Sequence, residues 1–154
     1  MERQALGYIM RHVAGTMSQQ ANQILQEQLG IGMAQFKILS ILQQTPQARQ
    51  RTLAGHLGQT EASISRQIKL LTDKGMLAAR INPKNRREHQ LLLTPKGAKL
   101  LLVATDLLQQ YQAPLFGQLN DKQYRQLLET LQMLHQHVCQ PGKFVACNHA
   151  IDAS

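Results

Sequence analysis

Carboxylates are scarce in this sequence: nine Asp and Glu stand against seventeen Lys and Arg. None of the nine is paired with another at a spacing that suits general acid and base work. The chain also lacks a Walker loop, a dinucleotide fingerprint, a nucleophile elbow and an HExxH pair. An enzyme is therefore not expected, and no cofactor is implied. No apolar run approaches the ~18 residues that a membrane span requires. The N-terminal MERQALGYIM sets an acid beside its only base and has no uninterrupted apolar core, so it does not read as a signal peptide. The expectation is a cytoplasmic protein with no membrane partner. Cysteine is missing before Cys139.

What the chain has in excess is positive charge. Its net charge is +8 over 154 residues, enough chain for one domain, or for one small domain with a helical appendage. The charge is also localised. From Arg49 to Lys99 there are eleven Lys or Arg and three acids, so this segment holds the entire excess and the rest of the chain balances. Such a block points to an anionic partner.

The same segment carries the clearest pattern. Leu53, Ala54 and Leu57 give a short helix an apolar face, and Gly58 ends it. Thr60 can cap the next helix, with Glu61 suited to the positive end of the helix dipole, and Gly75 closes it. Within that second helix Ile64, Ile68 and Leu71 share an inward face. Ala62, Arg66 and Lys69 then point outward, flanked by Ser63 and Ser65, a small, polar and cationic surface that fits a major groove. Met76 to Ile81 and Gln90 to Leu93 read as paired strands. The turn between them would carry Lys84, Arg86 and Arg87 at its tip, within reach of phosphates or a narrow minor groove. Leu70 lies nearer the outward face of the second helix and is expected to pack under this hairpin. Two helices and a cationic hairpin make a winged helix-turn-helix.

Around this unit the periodicity predicts helices. One runs from Glu2 to Leu29, with Leu6, Ile9, Met10, Val13, Met17, Ile24 and Leu25 near helical spacing, and a second covers Met33 to Gln44. Thr94-Pro95 starts another, which Pro114 should kink or split. Asn120 and Gln123 resemble a capping box for a last helix whose stripe is Tyr124, Leu127, Leu128, Leu131, Leu134 and Val138. The first and last helices carry more apolar surface than a compact head needs, so a homodimer that buries both is expected. The fold class is mainly α with a small β-hairpin wing. Residues 1–30 and 100–138 are expected to form the helical dimerisation region, 31–99 the DNA-binding domain and 139–154 a tail.

The order of these elements and the residues themselves resemble the MarR family of bacterial transcription regulators. The resemblance rests on Leu53-Ala54-x-x-Leu57, on Ser63-Ile64-Ser65-Arg66-x-Ile68-x-x-Leu71-x-x-x-Gly75-x-Leu77, and on Asn85-Arg86-Arg87 leading to Leu93-Thr94-x-x-Gly97. It covers about residues 5 to 138. It implies a homodimer that binds double-stranded DNA at a palindromic operator, usually as a repressor, and lets go when a small molecule or oxidant arrives. Ser63, Ser65, Arg66 and Lys69 would then enter the major groove and Arg86 the minor groove. The family commonly has aspartate where this chain has Asn82 and Asn85, the second pairing with the wing arginine. Here asparagine can still accept from Arg86, without the charge-assisted part.

Two sensing sites are candidates. Met10, Met17, Phe36 and Tyr111 are candidate linings for an inducer crevice of the kind the family has, although such residues also serve as plain core. His135, His137, Cys139, Cys147 and His149 form a dense metal or redox cluster, against the plainer reading of an inert tail. Its spacing matches no standard zinc pattern. Cys139 and Cys147 can also pair as a disulfide. The family's peroxide sensors place their cysteine in the N-terminal helix, so that mechanism does not carry over. The alternative to a regulator is a winged helix that binds RNA or protein, with weak preference among duplexes.

Overall fold

A computed structural model of the chain describes residues 2–139, with side chains at 4–85 and 90–139. Helix α1 spans Glu2–Leu29 and ends at Gly30, whose φ of 64° reverses the chain. Helix α2, Met33–Gln44, starts at Gly32, which has no side chain to cap it. Asn22 of α1 supplies the cap instead, its Oδ1 accepting from the Met33 N–H at 2.9 Å.

The helix-turn-helix is α3, Gln50–Leu57, and α4, Glu61–Asp73. Gly58 at φ 61° ends α3, with the Gln59 N–H bonded back to the Ala54 carbonyl. Gly75 at φ 74° ends α4 the same way, the Met76 N–H reaching the Leu71 carbonyl. Thr60 caps α4 as its hydroxyl oxygen accepts from the Ser63 N–H at 3.2 Å.

Strand β1, Leu77–Asn82, pairs antiparallel with β2, Asn85–Leu93, Leu77 opposite Leu93 and Ile81 opposite His89. The hairpin is tighter than its sequence suggests, because β2 begins at Asn85 and not at Gln90. Asn82 Oδ1 accepts from the Lys84 N–H at 3.0 Å, and this local bond turns the chain within Pro83 and Lys84. Arg86 and Arg87 therefore belong to a strand, and Lys84 alone of the expected cations sits in the turn.

Helix α5, Pro95–Phe116, is capped by Thr94, and α6, Asp121–Val138, opens with a full capping box between Asn120 and Gln123. Pro114 does not split α5. It lies in the last turn, where one missing donor leaves few bonds to lose, and the helix continues to Phe116. On α5, Leu101, Ala104 and Leu108 are buried, while Leu102 and Leu115 are exposed.

Two apolar clusters hold these elements. The larger joins α2, α3, α4 and the wing through residues such as Leu39, Leu53, Ile64, Leu71, Leu77 and Leu91. The smaller joins α1 to α5 through Ala21, Leu25, Ile31, Ala104 and Leu108. Phe36 and Leu100 pack against both. Leu70 does not pack under the wing and is 46% exposed, since Leu71, Leu77 and Leu91 already fill that space. Helix α6 buries none of its residues in this single chain, and Leu6, Tyr8, Ile9 and Val13 of α1 are equally uncovered.

Candidate nucleic-acid interface

The geometry of α4 decides what this surface offers. Ile64 and Leu71 are buried and Ile68 packs beside them, which turns Ala62, Ser65, Arg66 and Lys69 to the outside. The helix carries no acid between Glu61 in its first turn and Asp73 at its end. Ser63 lies at the edge of this face, half-buried, its hydroxyl donating to Gln59 Oε1 at 3.1 Å. Lys69 Nζ pairs with Asp73 Oδ2 at 2.8 Å, both side chains mostly exposed. An exposed pair of this kind contributes little and exchanges readily for a phosphate. Arg66 and Ser65 are exposed.

Several polar contacts set α4 in place. Gln50 of α3 donates through Nε2 to the Glu61 carbonyl at 2.9 Å. Gln35 of α2 donates through Nε2 to Gln67 Oε1 at 3.0 Å. At the far end Lys96 Nζ donates to the Lys74 carbonyl at 2.8 Å, and Lys74 Nζ to the Gly30 carbonyl at 2.6 Å. Cations there suit the negative end of the α4 dipole. Thr94 ties the wing to the same corner, its hydroxyl donating to the Gly75 carbonyl at 2.7 Å.

Beyond α4, the hairpin projects Lys84 at its turn and Arg80 on β1, both exposed. Arg86 and Arg87 have their backbone on β2, and their side chains lie outside the described residues. The structure thus puts Ser65, Arg66 and Lys69 on one helix face, with Ser63 at its edge and Lys84 on a separate projection.

The other candidate residues are scattered. Met17 and Tyr111 share a cleft of about 470 Å³ between α1 and α5, with Gln20, Pro114, Leu115 and Gln118. Met10 and Phe36 do not line it: Met10 is exposed on α1, and Phe36 packs where the two apolar clusters meet. His135 and His137 occupy the last turn of α6, and Cys139 follows as its C-cap. Cys139 is disulfide-bonded. Cys147 and His149 lie outside the described residues. Among the described residues no three His, Cys, Asp or Glu side chains gather as a metal site. Nor, among them, is any helix long and apolar enough to cross a membrane.

Sequence reasoning passed over Gln35 and Gln67. The signal was available, because Gln35 stands three and four positions before Ile38 and Leu39, on the face of α2 that turns inward.

Residues 31–89 match the model of the MarR family. Over 74 residues the chain is 32% identical to the HTH-type transcriptional regulator PetP of Rhodobacter capsulatus. That match covers 48% of this chain and 45% of PetP, so it spans less than half of the relative's length. Among solved structures, a MarR transcriptional regulator from Methanosarcina mazei Go1 superimposes with a TM-score of 0.74 at 24% identity, covering 88% of this chain and 96% of its own. The Mycobacterium tuberculosis MarR family protein Rv2887, in complex with p-aminosalicylic acid, gives a TM-score of 0.71 at 24% identity, covering 84% of this chain and 97% of its own. At that identity these structures establish the fold, a winged helix with its flanking helices.

Proposed function

We propose that this chain, which belongs to the MarR family, is a sequence-specific DNA-binding transcription regulator that represses from a palindromic operator and is released by a small molecule. One observation carries the reading. The outward face of α4 holds Ser65, Arg66 and Lys69 with no intervening acid, inside the segment that contains the chain's whole net charge. A helix of small, polar and cationic residues can sit in the major groove and bond base edges, and a cationic projection beside it can reach the neighbouring backbone. Ser63, Ser65, Arg66 and Lys69 are the proposed base-reading set. Lys84, Arg86 and Arg87 are the proposed wing contacts.

The operator is proposed to be palindromic because the reader is proposed to be a twofold dimer. An α6 without a single buried residue, beside an uncovered apolar start to α1, supports residues 1–30 and 100–138 as the dimerisation region. Twofold symmetry then matches half-sites about 34 Å apart. Rv2887 was solved with p-aminosalicylic acid. By analogy the proposed inducer here is an aromatic carboxylate, and the cleft shared by Met17 and Tyr111 is its proposed seat.

Fluorescence anisotropy with the DNA upstream of the protein's own gene, against a scrambled duplex, tests the reading. A regulator prefers its operator by ~10³ or more. Equal affinity for the two duplexes at every salt concentration would favour a winged helix that serves another kind of partner.

A further inference from the structure

Gln35 is the one buried polar side chain among the described residues, 7% exposed within an otherwise apolar stripe of α2. Its Nε2 donates to Gln67 Oε1 at 3.0 Å, and its own Oε1 has no partner. A buried amide that makes one hydrogen bond and leaves its oxygen unpaired weakens a fold, whereas leucine of similar volume would bring no polar atom of its own into that site. The polar group must therefore be understood by what it orients.

What it orients is α4. The core side of that helix is Ile64, Ile68 and Leu71, and apolar contact is non-directional, so it fixes depth better than rotation about the helix axis. The contacts from Gln50 and Lys96 reach backbone carbonyls at the two ends of α4. Gln67 is the midpoint, next to Arg66 and one turn beyond Ser63, and a hydrogen bond there is directional. A roll of ~20° would carry a group at the ~5–6 Å rim of a helix through about 2 Å. That shift exceeds what a base-edge hydrogen bond tolerates.

We propose that Gln35 is a positioning residue for DNA recognition: through its bond to Gln67 it sets the roll of α4, and so the aim of Ser65 and Arg66, at a cost in stability. This rests on the reading of α4 as the recognition helix.

The test uses the full chain with leucine at Gln35, at Gln67 and at both, on the duplex that the wild-type protein enriches most from a random-sequence library and on a scrambled duplex. Gln35→Leu is expected to unfold at the same denaturant concentration as wild type or a higher one, yet to bind the enriched duplex about tenfold less tightly, the effect of one mismatched base pair. Affinity for the scrambled duplex should not move, because phosphate contacts are insensitive to the roll. The double variant should be no worse than either single one, as residues acting through one bond are not additive. Unchanged affinity for the enriched duplex, or a loss that follows a loss of stability, would overturn the inference while leaving α4 as the reader. A wild-type protein that enriches no duplex would overturn the recognition reading, and this inference with it.

Discussion

The α-carbon of Gly97 lies so close to the carbonyl oxygen of Met76 that a Cβ built on it would fall far inside van der Waals contact. Gly97 is buried in the first turn of α5, and Met76 is where the chain leaves α4 for the wing. Helix α4, the wing and α5 thus meet at one backbone crossing. Gly97→Ala is expected to destabilise the fold by about 1–3 kcal/mol, the usual range for overpacking. Denaturant unfolding would measure it, and a midpoint equal to wild type would show that the crossing can relax.

The uncovered face of α6 leads to a second expectation. Leu131 lies in the middle of a stripe with Tyr124, Leu127, Leu128 and Leu134, all exposed in the single chain. If a second copy covers that stripe, Leu131→Glu places a charge in an apolar interface. Light scattering should then fall from twice 17.3 kDa to 17.3 kDa. A wild-type protein already at the lower mass would remove the dimer from the account.

Much of the fold was legible in the sequence because the signals were local. Thr60, Thr94 and Asn120 cap the helices they precede, and Gly58 and Gly75 end the two helices of the helix-turn-helix at positive φ. The outward set Ala62, Arg66 and Lys69 followed from where Ile64 and Leu71 had to go. What escaped depended on distant partners. Leu70 was expected under the wing, but Leu77 and Leu91 had taken the space. The length of β2 depended on the Asn82 to Lys84 bond, which a run of charged residues conceals. Gln35 looked like one more polar residue until its contact with Gln67, 32 positions away, was visible. Among the candidate inducer residues, type and spacing did not separate Met17 and Tyr111, which share a cleft, from Phe36, which is packing.

Two cations on the proposed interface should fail differently. Arg66 is on the outward face of α4, so Arg66→Ala should weaken operator binding by about 1–3 kcal/mol and relax preference at particular base pairs. Lys84 sits in the wing turn, so Lys84→Ala should weaken all duplexes alike and flatten the salt dependence by about one unit of slope per copy. Anisotropy over a salt series with operator variants separates these effects. The same pattern from both variants would place both residues on phosphates.

The cleft between α1 and α5 gives a further expectation. An aromatic carboxylate such as p-aminosalicylate should weaken operator binding by the wild-type protein, and Met17→Trp, which fills the cleft, should remove that response while leaving operator affinity in place. Titration of the complex by anisotropy checks it. Persistence of the response in Met17→Trp would move the ligand elsewhere.

The central claim is that α4 reads a DNA sequence, and selection from a random duplex library by the whole chain tests it most directly. The expected result is enrichment of an inverted repeat whose half-sites are centred about one helical turn, ~34 Å, apart, with Arg66→Ala eroding preference in each half-site. A pool that stays random through successive rounds, with binding that varies only with salt, would contradict it.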